Sequence, residues 1–335
     1  MTTRIRDVPA LAGHAASLSA LGFDTLEQVL GAAQVAGPEL GRALGVGIAD
    51  LIGSTMAIAA PVTDEMADRL WSLPCAMGAR LDSPAPREAI GAAVAMALPA
   101  AAPSVNHLPA MPPVRHQGDR GTCVAHAALA AYEHYLAVNG SGTDMSEQFL
   151  YWNCKQNDGI PTTTGTWLRV AFPLLHRDGV CPEDAWPYDS RILPGNEAHD
   201  PPPPGARRAA LGYRAGNQPT MLPPNSVSDI RNALFGGRCV AFSVPVYNSW
   251  WASMEVRRTG DITNPLPGEA PSGGHAMCLV GYVDMPDRPE IGGGRFILRN
   301  SWGSLWGGQS AYGAGNGTIS YSYVARHCFE AFAIA

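Results

Sequence analysis

No stretch of this chain approaches the roughly 20 unbroken apolar residues that a membrane-spanning helix requires, so no membrane partner is expected. Charge is sparse as well. Charged residues are 16% of the 335, and the net charge is −6. That balance gives no electrostatic reason to expect nucleic acid or an anionic lipid surface. The opening run MTTRIRDVPALAGHAASL has two arginines but no continuous apolar segment behind them. It does not read as a secretory signal, and a cytoplasmic location is the simple expectation. The seven cysteines (Cys75, Cys123, Cys154, Cys181, Cys239, Cys278 and Cys328) include no Cys-x-x-Cys pair. A zinc site and a dithiol redox motif are therefore not indicated, and no cofactor or metal is implied. What is present is a hydrophobic share of 46%, which suits a core-forming globular chain. The length allows one large domain and a smaller one.

The first 60 residues are rich in alanine and leucine. Leu18, Leu21, Leu26 and Leu30 recur at helical steps, broken at Gly22, at Gly37-Pro38 and at Gly45 to Gly47. Asp24, followed by Glu27, reads as an N-cap in an acidic form of the capping box. The segment resembles small helix-hairpin-helix (SAM-like) modules. With three arginines, no lysine and five acidic residues, it favours contact with a protein partner, or a purely structural role, over DNA. Residues 61–108 read as one or two helices in loose chain, including the alanine run 92–102. They form a helical linker or a pro-region. The alanine-rich, nearly neutral composition of residues 1–108 as a whole favours a permanent adaptor over an inhibitory segment. A boundary is expected near Pro109.

From Pro109 to the C-terminus tryptophan, tyrosine and glycine become frequent. Helix is expected from Ala125 to Tyr135, and strands over 239–246, 276–283 and 295–299. Helix first and sheet later points to an α+β fold with a helical lobe and a strand-rich lobe. The prolines at 201–204, 219, 223 and 224 mark an extended surface crossing between them.

Three segments carry chemistry. In QGDRGTCVAHA a glycine-broken loop runs into a helix with Cys123 at the junction, where the helix's positive end favours the thiolate. Gln117 lies six residues upstream. Its side-chain amide and the Cys123 backbone N–H together make a two-donor oxyanion site. In SGGHAMCLVG, His275 opens an apolar strand behind two glycines that permit close backbone approach. In RNSWGSLWG, Asn300 closes a strand, and its amide oxygen is suited to fixing the tautomer of an imidazole. Trp302 is placed to cover that bond. Each piece alone has an ordinary structural explanation: a buried thiol, a strand-start histidine or an Asn-Ser turn.

Taken in order, these motifs, with MSEQFLYWNC (Met145 to Cys154) and the Ala311-Tyr312-Gly313 that follows the last of them, resemble the papain family of cysteine peptidases. The resemblance implies a two-lobed fold, one lobe helical and one an antiparallel, barrel-like sheet, with a cleft between them. It implies an extended polypeptide substrate and a catalytic set of Cys123, His275 and Asn300, with Gln117 as oxyanion donor and Trp302 as shield. The sequence departs from the family pattern in four places. Arg120 replaces a disulfide cysteine, which agrees with a reducing compartment. Val124 stands where an aromatic is usual. His126 is expected to pack beneath the site. The separations from Cys123 to His275 and Asn300 are 152 and 177 residues, longer than the roughly 130–150 usual for such enzymes. The expected reaction is peptide-bond hydrolysis. Ligation or transamidation by the same residues, or an inactive binding scaffold, are the alternatives.

Overall fold

The computed structural model describes residues 3–55, 64–82, 102–216 and 219–334. At the N-terminus lie helices α1 (Ala15–Ala20), α2 (Leu26–Leu44) and α3 (Ile48–Thr55). The cap of α2 is Thr25, one residue later than the sequence indicated. Its hydroxyl accepts the Gln28 N–H while the Gln28 side chain accepts the Thr25 N–H, a reciprocal box. Asp24 is drawn off to Arg288 and Arg295, and Glu27 instead takes the Thr3 N–H. The Gly37-Pro38 break appears as a kink at Ala36, with φ −143° and ψ 39°, and Gly45 ends the helix at φ 67°. Leu11, Leu18, Phe23, Leu26, Val29 and Leu40 form a small core that also takes in Leu266. This group is seated on the strand-rich lobe. Arg288 and Arg295 both reach Asp24, and Asn264 donates its N–H to the Leu21 carbonyl.

Helix α4 (Asp64–Trp71) follows, and residues 72–82 continue without helix or strand apart from a single bridge at Ala79. The alanine run read as helix lies, up to residue 101, outside the described residues. The larger domain begins before Pro109: Ser104–Asn106 already pairs into the sheet as β1.

The helical lobe is built from α5 (Cys123–Val138), α6 (Glu147–Asn157) and α7 (Leu168–Arg177). The α5 helix is apolar almost all round because it runs through the lobe's centre, against Phe149, Leu150, Leu168, Phe172 and Leu175. Ser146 caps α6, accepting the Phe149 N–H at 3.0 Å. The other lobe is a sheet of β2 (Thr220–Met221), β3 (Val240–Val246), β4 (Asp261–Ile262), β5 (Gly273–Asp284), β6 (Gly294–Arg299), β7 (Asn316–Ser320) and β8 (Glu330–Ala333). Its order is β2-β8-β3-β5-β6-β7-β4, with β1 beside β5. Neighbours are antiparallel except for the parallel β4–β7 pair. The chain is thus α+β and two-lobed. Of the proline stretch, residues 201, 203 and 204 are exposed and lead into a short helix at Ala206–Ala210.

Candidate active site

The two lobes meet where the start of α5 faces the start of β5. Cys123 is the first residue of α5 and is fully buried. The Ala276 N–H on β5, next in sequence to His275, points at Cys123 Sγ at 3.4 Å. Antiparallel pairing of β5 with β6 and the end of β6 at Arg299 place Asn300 next to His275. His275 Nε2 lies 2.8 Å from Asn300 Oδ1, and the Trp302 ring stacks on the imidazole at 4.3 Å, inclined by 24°. An amide oxygen can only accept, so the bond places the proton on Nε2 and leaves Nδ1 as the basic nitrogen. Nδ1 has no hydrogen-bond partner.

Gln117 is oriented by a residue the sequence reading did not single out. Ser301 Oγ donates to Gln117 Oε1 at 2.6 Å, and the Gln117 N–H reaches the Ser301 carbonyl. That contact turns Nε2 toward the Arg120 carbonyl at 2.8 Å and the Ala76 carbonyl at 3.2 Å. His126 lies beneath the site. Its Nδ1 is 3.1 Å from the Thr122 carbonyl and its ring meets Tyr188 edge-on. Burial pushes its pKa down to about 3, so it is neutral at ordinary pH. Arg120 is buried and binds Gln148 and the Asp189 and Glu197 carbonyls. It ties this part of the lobe together by hydrogen bonds.

The cleft is covered by the chain's own residues 75–80. Trp251 Nε1 donates to the Cys75 carbonyl at 3.0 Å. The Ala76 carbonyl receives both Trp302 Nε1 at 2.9 Å and Gln117 Nε2 at 3.2 Å. Gly78 and Ala79 donate their N–H groups to the Gly274 carbonyl, Thr166 donates to the Gly78 carbonyl, and Arg80 donates to the Thr166 carbonyl. On the segment's side each of these contacts is made by backbone. A Cβ on Gly78 would sit 1.9 Å from the Gly121 carbonyl oxygen, and one on Gly274 2.2 Å from that of Ala79. The glycines before His275 thus serve the close approach that their sequence suggested. The covering stretch was not foreseen as such. The available signal was a lone glycine among small residues in Cys-Ala-Met-Gly-Ala.

Burial sets the charge state. Burial pushes the Cys123 thiol up to about 11, although the N–H groups of Ala276, Gly78, Ala79 and Val124 pull it back. Burial pushes His275 down to about 4, against the opposing effect of its Asn300 bond. Thiol and imidazole are therefore both neutral beneath this segment. A low-dielectric site does not support the ion pair that attack requires.

A second group of buried titratable residues lies behind the site. Glu133 on α5 accepts the Met145 N–H at 2.8 Å, and burial pushes its pKa up to about 8, with Asp144 raising it further and Arg115 opposing. The folded state thus holds a proton on Glu133 that the unfolded chain gives up near 4.5. Stability from this group is complete below the unfolded value and is lost as pH rises through the folded one. The melting temperature is expected to fall between about pH 5 and 8. Glu133→Gln should flatten that slope in a pH series of thermal melts.

Residues 101–320 match the model of the papain family cysteine proteases. An uncharacterised peptidase C1-like protein of Acanthamoeba polyphaga mimivirus is 29% identical over 62% of this chain. Peptidase 1 of Dermatophagoides farinae is 29% identical over 63%. The aligned regions span 64% and 61% of those relatives' own lengths. Among solved structures, xylellain, a cysteine protease from Xylella fastidiosa, superposes with a TM-score of 0.59 at 26% identity, over 70% of this chain and 86% of that one. A digestive procathepsin L 3 of Tenebrio molitor larval midgut shares the fold over 97% of this chain and 99% of its own, with a TM-score of 0.54 at 17% identity. Family match, lobe arrangement and the grouping of cysteine, histidine and asparagine agree, and the chain belongs to the papain family of cysteine proteases.

Proposed function

We propose that the protein is a cysteine peptidase that hydrolyses peptide bonds with Cys123 as nucleophile, and that residues 75–80 hold it latent. The observation that carries this reading is the His275–Asn300 bond beneath Trp302, beside a thiol at a helix start. Once the cleft is open to water, His275 Nδ1 takes the thiol proton and Sγ attacks the substrate carbonyl carbon. The oxyanion is held by Gln117 Nε2 and the Cys123 N–H. The C–N bond breaks as His275 returns its proton to the leaving amine. Water, deprotonated by His275, then releases the acyl group as a carboxylic acid. Asn300 keeps the imidazole turned toward sulfur throughout.

Within the covering segment the carbonyl in reach of Gln117 is that of Ala76, while the Gly78 and Ala79 N–H groups donate to the Gly274 carbonyl. Arg257 adds an anchor outside the cleft by donating to the Leu70 carbonyl at 2.7 Å. The seven cysteines are all free and buried, which fits a reducing compartment such as the cytoplasm.

The test is hydrolysis of an unfolded polypeptide by opened enzyme, with product masses read in the presence and absence of an added amine. Gln117→Ala should lose about 10²–10³ in kcat, the usual effect of one oxyanion donor. Amine-capped products in place of acids would replace hydrolysis by transamidation. Unchanged turnover in Gln117→Ala would contradict the oxyanion assignment.

A further inference from the structure

This chain has 22 arginines and a single lysine, Lys155. The lone lysine is not on the surface. Its side chain is fully buried on α6. Its ammonium group makes three bonds: to Asp158 Oδ2 at 2.8 Å, to the Thr163 carbonyl at 2.7 Å and to the Gly165 carbonyl at 2.9 Å. Three acceptors around one small cation suit an ammonium's three donors. A planar guanidinium fork does not match that arrangement.

One turn earlier on the same face of α6 stands Tyr151. Its hydroxyl accepts the Gly165 N–H at 3.0 Å and donates to Glu197 at 2.5 Å. Both backbone groups of Gly165 are therefore held by α6 side chains, the carbonyl by Lys155 and the N–H by Tyr151. Gly165 has φ 82° and no room for a side chain, since its Cβ would lie 2.3 Å from the Gly78 carbonyl oxygen. The next residue, Thr166, makes the two backbone bonds that seat the covering segment: its N–H to the Gly78 carbonyl, and its carbonyl to the Arg80 N–H. The Gly165–Thr166 edge is thus the part of the helical lobe that grips an extended peptide backbone beside Cys123. Among the described residues its ladder contact is the isolated bridge from Thr166 to Ala79 of the covering segment.

We infer that Lys155, together with Tyr151, is a positioning residue for substrate, fixing the Gly165–Thr166 edge on which a bound peptide backbone docks. This rests on the peptidase reading above, because substrate must use the edge that the covering segment now occupies. Lys155 touches neither substrate nor the reacting atoms. Its effect reaches the reaction through how well the peptide is held.

The test uses the full-length chain carrying Gly78→Val, which vacates the cleft. Two reagents for Cys123 are compared by intact mass: a peptidyl epoxysuccinate, which must dock on the edge, and iodoacetamide, which need not. Lys155→Met is made together with Asp158→Asn, so that no buried carboxylate is stranded. Tyr151→Phe, which removes only a hydroxyl, is the second variant. Both are expected to slow the peptidyl reagent at least about tenfold, since a bond to a charged or oriented partner is involved. Iodoacetamide should stay within about twofold of the parent. Equal slowing of both reagents, or an unchanged peptidyl rate, overturns the proposal. If the double variant does not fold, the Tyr151→Phe ratio decides by the same criterion. Peptide hydrolysis by the Gly78→Val chain, the parent of these variants, is measured alongside. A parent that takes the epoxide yet cleaves nothing overturns the peptidase reading without altering this ratio, so the two failures are told apart.

Discussion

Gly78→Val in the full-length chain is expected to open the cleft and expose Cys123 to a peptidyl epoxide at least about 10³ times faster than in the parent. A valine Cβ at that position would lie 1.9 Å from the Gly121 carbonyl oxygen and 2.6 Å from the Gly121 Cα. Both are backbone atoms, so no side-chain rotation relieves the clash. Forcing extra methyl groups into a packed site costs about 1–3 kcal/mol. The segment would also lose two backbone bonds, from Gly78 to Gly274 and from Thr166 to Gly78, each worth about 1 kcal/mol. A total near 4 kcal/mol corresponds to roughly a thousandfold at 1.4 kcal/mol per factor of ten. The native fold should persist, because α4 and the N-terminal core are anchored elsewhere, through Arg257 to Leu70 and through Arg288 and Arg295 to Asp24. The rate constant of labelling, followed by mass, measures the effect. A parent already labelled as fast as the variant would mean that residues 75–80 do not guard the site.

Cys123→Ser in that opened background is expected to lose turnover by a factor on the order of 10⁶, the size seen when the nucleophile is taken from an acyl-transfer site. The change removes one polarisable atom and little volume, so folding is spared. Chemistry is not spared, because a serine hydroxyl is far less acidic than a thiol and depends wholly on its base. His275 Nδ1, tuned to share a proton with sulfur, is a weak base for an alkoxide. The kcat of the pair of variants, with thermal melts as the check on folding, decides the point. Retained turnover would remove Cys123 from the mechanism.

The candidate site was legible as a set of motifs taken together. A cysteine at a loop-to-helix junction, a histidine behind two glycines and an asparagine closing a strand are each ordinary alone, and only their joint occurrence in that order points to a site. Strands β3, β5 and β6 were legible as apolar runs, since burial on both faces leaves few polar interruptions. What covers the cleft was not legible in the same way. Residues 75–80 are held mainly by their own carbonyl and amide groups, which every residue carries, so composition revealed no more than a neutral, alanine-rich stretch. The Thr25 cap was misplaced by one residue because Asp24 is an equally good cap in isolation. Only the distant Arg288 and Arg295 show why it is used elsewhere. The role of Lys155 was hidden in a similar manner, since its three acceptors include backbone oxygens of a loop that has no pattern of its own.

The most direct measurement is intact-mass labelling with an epoxysuccinyl peptidase probe on four full-length proteins: the parent, Gly78→Val, and each of these with Cys123→Ala. If Cys123 is a reactive nucleophile beneath residues 75–80, the parent stays largely unlabelled and Gly78→Val takes one adduct. Both Cys123→Ala forms then take none. An adduct that survives Cys123→Ala, or a Gly78→Val protein that stays folded yet unlabelled, would contradict it.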